Sequence, residues 1–501
     1  MVNKERQEES LWLPSSYSLK VRYQNLPEET INRDKICFYL RKPSTEINMF
    51  LKENRSTPAL HVLARCAFGI AFLVPILVRI SLFHVVTGDD ASSYQWYIYI
   101  QTHGGFAALK DNFSNYNVPY LYLLAVATYF PSIPELIAVR IISVLFDIVL
   151  GIFTYLILRL QFKRPSVAII GTLVVLCAPT VFINSAAWGQ LDASYTAFCL
   201  GSAYFLLKGR PGWACAFFGL AISFKLQAIF FLPVLLVLLL RKKLSVKHLV
   251  LIPVIFLLIL LPAFIAGRNA VSLLSIYAGQ ASTGGMGGWK RPSSSCSVPP
   301  SSGKRVNCPP RFPFHHSFPQ FTGVGPFNLG GLGTFMKRGD GNPVVPGKLF
   351  TLDAPSFYQW IPANAPDYWK WIGIVSAGLF VVLVGLLLWR SKQQIDSAIL
   401  LKVILVFAIA IPFLLPEMHE RYFYLADVVS IMYAFNFPRL FFVAVIMQLC
   451  SLLSYAPFLI RIEVVPFSYV AFGVLVIAIV TFVDLVLSLY PNLRGRFPVL
   501  C

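Results

Sequence analysis

The sequence predicts an all-α polytopic membrane protein of about 10–13 transmembrane helices, with a large first outer loop that carries interfacial helices. Three observations predict it. Of 501 residues, 56% are apolar and 13% charged, whereas a soluble domain carries about a quarter charged residues. Mean hydropathy is +0.66 over the whole chain, so apolar runs must recur instead of forming one anchor. The basic residues gather in the short stretches between those runs. A soluble enzyme with a single anchor, a disordered chain and a small disulfide scaffold are excluded. The net charge of +19 would suggest nucleic acid in a soluble chain. Here it marks cytoplasmic loops, and no nucleic-acid partner is expected. The nine cysteines are scattered, with no CxxC and no His/Cys ligand spacing, so no metal site is read from them.

Residues 1–59 form a polar segment with ten Lys/Arg and eight Asp/Glu, and lack an early apolar core of the kind a signal peptide needs. They are expected to be cytoplasmic. The first long apolar run covers 60–86, enough for a crossing, which takes about 20 residues. Further runs fall at 137–158, 166–186, 191–207, 212–224, 225–240 and 247–266, which complete an N-terminal membrane half over 60–283. A C-terminal half over 351–501 contains runs at 368–389, 397–415, 422–436, 438–458 and 466–490. Residues 118–130 are apolar but too short to cross comfortably. They are read as an interfacial helix in an outer loop covering 87–136.

Orientation follows from charge. With the amino terminus inside, the inside loops hold Arg159, Lys163 and Arg164, then Lys208 and Arg210, Arg241, Lys242, Lys243 and Lys247, Arg390 and Lys392, Arg439, and Arg494 and Arg496. The short outside loops carry only Lys110, Arg421 and Arg461. This obeys the positive-inside rule and makes both termini cytoplasmic.

The stretch 284–350 is foreign in composition: thirty of its 67 residues are Gly, Pro or Ser, with no helical or strand period. Such a composition cannot bury a core and is expected to be disordered. It holds Cys296 and Cys308, which can pair in an oxidising compartment. Its flanks, YAGQAST and TLDAPSFYQW, read as contiguous, as they would if the stretch were a retained intron or a gene-model error.

Four polar clusters fall on the outside of this topology: Gly88-Asp89-Asp90, the YNVPY motif that ends in Tyr120, Trp188-Gly189-Gln190-Leu191-Asp192, and Pro416 to Tyr422. They are expected to converge on one pocket. Asp89 and Asp90 either solvate the end of the first helix, do acid/base work or bind a divalent ion. His419, Glu420 and Arg421 offer a cation, an imidazole and a carboxylate, suited to a phosphate or to an interfacial belt. Lys225 interrupts an apolar stretch; such residues face a cavity or pair with a buried acid, here Asp147 or another. Asp147 and Asp484, inside runs themselves, are read as packing or pairing residues. Trp188 and Gln190 combine an aromatic face with an amide, as sugar sites and interface belts both do. Asn112-Phe113-Ser114 is a glycosylation sequon, a motif short enough to occur by chance.

Taken in order, these elements carry a resemblance. An aspartate after the first span, YNVPYLYLL, WGQLD, FKLQAIFFLP, APSFYQW and PEMHERYFYLADV together resemble membrane glycosyltransferases of the GT-C superfamily over about 60–490. The closest subgroup is the bacterial mannosyltransferases related to the Gpi18 enzyme of GPI-anchor synthesis, and more distantly the dolichyl-phosphate-glucose glucosyltransferases. The resemblance implies a polyprenyl- or dolichyl-phosphate sugar donor and a lipid-linked or glycan acceptor. It also implies chemistry on the outer or lumenal side of a bacterial plasma membrane or, in a eukaryote, of the endoplasmic reticulum. Asp89 or Asp90 would be the general base of an inverting transfer. His419, Arg421 and Lys225 would contact the donor phosphate, and Trp188, Gln190, Asp192, Glu420 and Tyr120 would line the substrate pocket. No cofactor is required; a divalent metal is conceivable at the paired carboxylates but unsupported. Two departures stand out: two aspartates where relatives often carry one acid followed by an aromatic, and the foreign stretch before APSFYQW. The competing readings are a flippase or transporter of lipid-linked sugars and a non-catalytic membrane subunit.

Overall fold

In the computed structural model the described residues are 73–278, 354–362, 365–460 and 462–496. The polar segment 1–59, the first part of the first apolar run, the stretch 284–350 and Arg461 lie outside them. Among the described residues every regular element is a helix and none is a strand. This is the all-α polytopic architecture that the apolar runs predict.

The first run supplies α1 (Leu73–Leu82). Next come α2 (Asp90–Thr102) and α3 (Val118–Ala127). Asn117 starts α3 by accepting from the Val118 amide, with Pro119 in the first turn, where a missing N–H costs nothing. Ten residues cannot cross a bilayer alone, and α3 buries Val118 to Leu121, Leu124 and Ala125 against its neighbours. α4 (Glu135–Gln161) has Glu135 in its first turn and Arg159 in its last, each charge matched to the helix dipole.

The run 166–186 is broken. α5 (Pro165–Leu176) and the short α6 (Pro179–Phe182), continued by a π-turn over Ile183–Ala187, meet at 52°. Pro179 explains the break, because it cannot donate to the preceding turn and disfavours a helical residue before it. α7 (Asp192–Leu207) and α8 (Pro211–Phe224) follow, then a 3-10 turn over Leu226–Phe231 that leads into α9 (Leu232–Leu240). α10 (Val246–Leu249) and α11 (Leu251–Ile265) make the next run, followed by α12 (Ala270–Leu274). The C-terminal half contains α13 (Tyr368–Arg390), α14 (Ser397–Leu414), α15 (Tyr424–Asn436), α16 (Phe441–Leu459) and α17 (Phe467–Leu489).

Six of the described helices are long and apolar enough to cross a membrane alone, or seven with the bent pair counted as one. The sequence offers twelve apolar runs besides 118–130, several of them shorter than a full crossing, and the first lies partly outside the described residues. The remaining runs are helical too but shorter: α7 and α15 have 16 and 13 residues, α8 ends at Lys225, and α9 follows a 3-10 turn.

α7 packs between α4 and α8, and α14 is buried along nearly its whole length. Buried polar ties cross the core. Arg79 Nε donates to Asp147 Oδ2 at 2.8 Å and Lys402 lies 2.6 Å from Asp484 Oδ2, so Asp147 and Asp484 are both in ion pairs. Side-chain bonds sort the helix ends into two sets. Gln161 reaches Ser397 and Asn436. Arg241 donates to the carbonyls of Leu388 and Ser391, and Lys243 to that of Ile395. These define one end of the bundle. The polar clusters singled out above meet at the other.

Candidate functional site

Asp89 precedes the first turn of α2 without capping it. Its Oδ2 instead accepts from Trp188 Nε1 at 2.9 Å and from Gln190 Nε2 at 2.6 Å. Arg421 Nη1 lies 3.7 Å from the same oxygen, and the Asp89 side chain stays 38% exposed. Asp90 is different although it is the next residue. Arg140 grips it with two nitrogens at 2.7 and 2.9 Å, and Thr87 donates its amide at 2.6 Å and its hydroxyl at 2.9 Å. Both Asp90 oxygens are therefore occupied, while the Asp89 side chain stays partly exposed.

The 416–423 turn delivers the cationic side. Arg421 donates to Glu420 Oε1 at 3.0 Å, and its guanidinium lies 5.4 Å from the Trp188 ring centre. Glu420 is buried, with His419 Nδ1 3.9 Å from its Oε2. His419 also meets the edge of Tyr422 at 5.3 Å. Arg421 thus faces two carboxylates, one buried and one open, and remains partly accessible itself.

Lys225 ends α8 in an extended conformation, φ −146° and ψ 138°. That break lets a lysine sit between two apolar helices with its ammonium at the polar cluster. Its Nζ lies 2.6 Å from Asp192 Oδ1, and Asn184 donates to the other oxygen of Asp192 at 3.0 Å. The buried-pair alternative for Lys225 therefore holds with Asp192. Asp147 is taken by Arg79 and Ser185. Nζ also sits 5.8 Å from the Tyr116 ring centre. The Tyr116 hydroxyl donates to Gln190 Oε1 at 3.2 Å. Burial pushes its phenol up, so it keeps its proton as donor. Gln190 is thereby held at both ends, between Tyr116 and Asp89.

The structure brings Asp89, Trp188, Gln190, Asp192, Lys225, His419, Glu420 and Arg421 into one cluster. All five residues expected to line the substrate pocket, Trp188, Gln190, Asp192, Glu420 and Tyr120, are buried, deeper than a lining position. Trp188 is 1% exposed, its ring stacked on Phe458 at 4.6 Å and edge-on to Tyr455 at 5.4 Å, so it presents its indole N–H to Asp89. Asp192 is fully buried. Tyr120 is buried behind Tyr116, ring centres 5.3 Å apart, against Trp96. Sequence reasoning missed Arg140. The signal was the one that flagged Lys225, a charge inside an apolar run. Among the described residues no group of three or more His, Cys, Asp or Glu side chains is placed to hold a metal ion.

The arrangement sets an open carboxylate, oriented by two neutral donors, beside two cations. Such a site can take a proton from a hydroxyl and neutralise an anionic leaving group. No curated protein matches the chain. Residues 114–279, a third of the chain, match the family model of glycosyltransferase family 87. That stretch holds Tyr116, Trp188, Gln190, Asp192 and Lys225, and the match supports a glycosyltransferase in a multi-pass membrane protein.

Proposed function

We propose that the chain transfers a hexose, mannose by preference, from a polyprenyl- or dolichyl-phosphate sugar to a hydroxyl of a lipid-linked or glycan acceptor. The transfer takes place at the outer or lumenal face of the membrane and inverts the configuration at the anomeric carbon. The observation that carries this reading is the meeting of the exposed Asp89 carboxylate with Trp188, Gln190 and Arg421.

Asp89 takes the proton of the acceptor hydroxyl as its oxygen attacks the anomeric carbon. The bond from that carbon to the phosphate oxygen breaks with its electron pair staying on oxygen, and polyprenyl phosphate leaves. Arg421 and His419, with Lys225 behind them, meet the charge that develops there; phosphate is a good leaving group and cations serve it without a strong acid. Both Asp90 oxygens are held by Arg140 and Thr87, which favours Asp89 as the base of the adjacent pair. Glu420 orients Arg421 through their 3.0 Å contact. No step of this chemistry is assigned to a metal.

The test is sugar transfer by the purified protein in lipid vesicles, with polyprenyl-phosphate mannose and polyprenyl-phosphate glucose offered in parallel. Asp89→Asn is expected to lower kcat by about 10²–10⁴-fold, the span general-base removal covers, while donor KM holds. Arg421→Ala should raise donor KM as well as lower kcat. Labelled lipid crossing the bilayer with no sugar transferred would overturn the reading in favour of a flippase.

A further inference from the structure

Arg140 enters from α4, one and a half turns past its N-terminus, and is fully buried. Its guanidinium donates to both oxygens of Asp90 and, at 2.9 Å, to the Val85 carbonyl. It therefore pins the strand of chain that runs from Val85 to Asp90 and carries Asp89. On its other side lies Gly189, held at φ +69°. A Cβ at Gly189 would land on Arg140 Nη1, with Cζ and Val139 Cγ1 each at 3.1 Å. The backbone thus seats directly on the guanidinium, and only glycine fits. The residues flanking that glycine, Trp188 and Gln190, are the two donors to Asp89 Oδ2. One buried side chain touches both halves of the arrangement: the segment bearing the acceptor oxygen and the segment bearing its donors.

We propose that Arg140, with Asp90 and Gly189, is a positioning unit that sets the Asp89 carboxylate against Trp188 and Gln190. Arg140 acts through Asp89 and does not touch substrate. Asp90 is the counter-ion that lets a guanidinium stay buried at this point, since a buried charge stripped of its partner is strongly destabilising. The activity arm of the test rests on the glycosyl-transfer reading above; the structural arm does not.

Four variants test it: Asp90→Asn, Arg140→Gln, the double variant Asp90→Asn/Arg140→Gln, and Gly189→Ala, which keeps both charges. Misplacing a reacting group by about 1 Å costs on the order of 10²-fold. Each single variant is therefore expected to lower kcat by about ten- to a hundred-fold with donor KM within about threefold of wild type. The double variant, with no unpaired charge and an amide pair in place of the ion pair, should recover most of that loss. In parallel, 19F NMR of protein carrying 5-fluorotryptophan reads Trp188 directly, its signal among the nine tryptophans assigned by Trp188→Phe. The Trp188 resonance should move in Gly189→Ala and in both single charge variants, and return in the double variant.

A Trp188 resonance unmoved in Gly189→Ala and in both single charge variants overturns the proposal. So does an Asp90→Asn loss as deep as that of Asp89→Asn with no recovery in the double variant, because Asp90 would then meet substrate itself. A wild-type protein that transfers no sugar defeats the glycosyl-transfer reading and leaves the NMR arm to decide the positioning role.

Discussion

Two neighbouring aspartates, identical in chemistry, are given opposite surroundings by one helix start. Asp90 is buried, and Arg140 and Thr87 saturate it; Asp89 stays partly exposed, and amide and indole donors orient it. The sequence showed that an acid pair belonged here, and that WGQLD and the His419 to Arg421 element went with it. It did not show which acid was free, because that depends on Arg140, 50 residues away and unflagged inside an apolar run. Lys225 was flagged, yet its partner could not be read: Asp147, in the middle of α4, and Asp192, at the start of α7, are both acids in or beside apolar runs, and only packing assigns Asp192 to it. That pair is nearly inaccessible on both sides, so breaking it should cost far more than removing it. Lys225→Met is expected to destabilise the protein by about 3–5 kcal/mol by leaving Asp192 buried and uncompensated. Lys225→Met/Asp192→Leu should regain most of that stability. Denaturation midpoints in detergent check both, and equal losses in the single and double variants would contradict the argument.

The helices themselves were legible as apolar runs, and each run in the described residues did become helical. The interruptions were less so. Pro179 bends one run by 52°, which its apolar pattern does not show; the break between the runs 212–224 and 225–240 was legible, and the structure adds the extended residue, Lys225, that makes it. In both cases the break places polar groups at the site that a straight helix would carry into the apolar layer. Glu417, at φ +60° and paired with Lys370 at 2.7 Å, makes a comparable break just before His419. Close helix crossings were not readable at all, because a glycine in an apolar run looks the same whether it is packed or bare. Gly219 of α8 is packed: a Cβ there would meet the Ile252 carbonyl at 3.0 Å and Ile255 Cβ at 2.9 Å on α11. Backbone cannot give way cheaply, and small residues at such crossings are what allow helices to approach. Gly378 of α13 meets nothing within 4 Å. Gly219→Ala should therefore lower the thermal midpoint by several degrees, at about 1–3 kcal/mol for overpacking. Gly378→Ala should leave it unchanged or raise it, since alanine is the better helix former by up to about 1 kcal/mol. The same sign in both variants would show that the α8–α11 contact is looser than its geometry implies.

At the scale of the whole molecule, the distribution of charge and the distribution of hydrogen bonds describe the same two ends. Arg241 and Lys243 bond to the carbonyls of residues 388 to 395, where Arg390 and Lys392 also lie, and Gln161, beside Arg159 and Lys163, bonds to Ser397 and Asn436. That is the basic end, which the positive-inside rule assigns to the cytoplasm. The cluster around Asp89 sits at the other end, as does Lys110, next to Gly267 just beyond α11. The sidedness bears on the proposed chemistry, because soluble nucleotide sugars are found inside, whereas the proposed lipid-linked donor is one presented outside. With the native cysteines replaced, Lys110→Cys is expected to react with an impermeant maleimide on sealed cells or vesicles of known orientation. Lys208→Cys, at the far end of α7, should react only after permeabilisation. The reverse pattern would put Asp89 and Arg421 on the cytoplasmic face. The lipid-linked donor would then lose its physical basis, even with the site's geometry and the family match to residues 114–279 intact, and a soluble nucleotide sugar would become the donor to test.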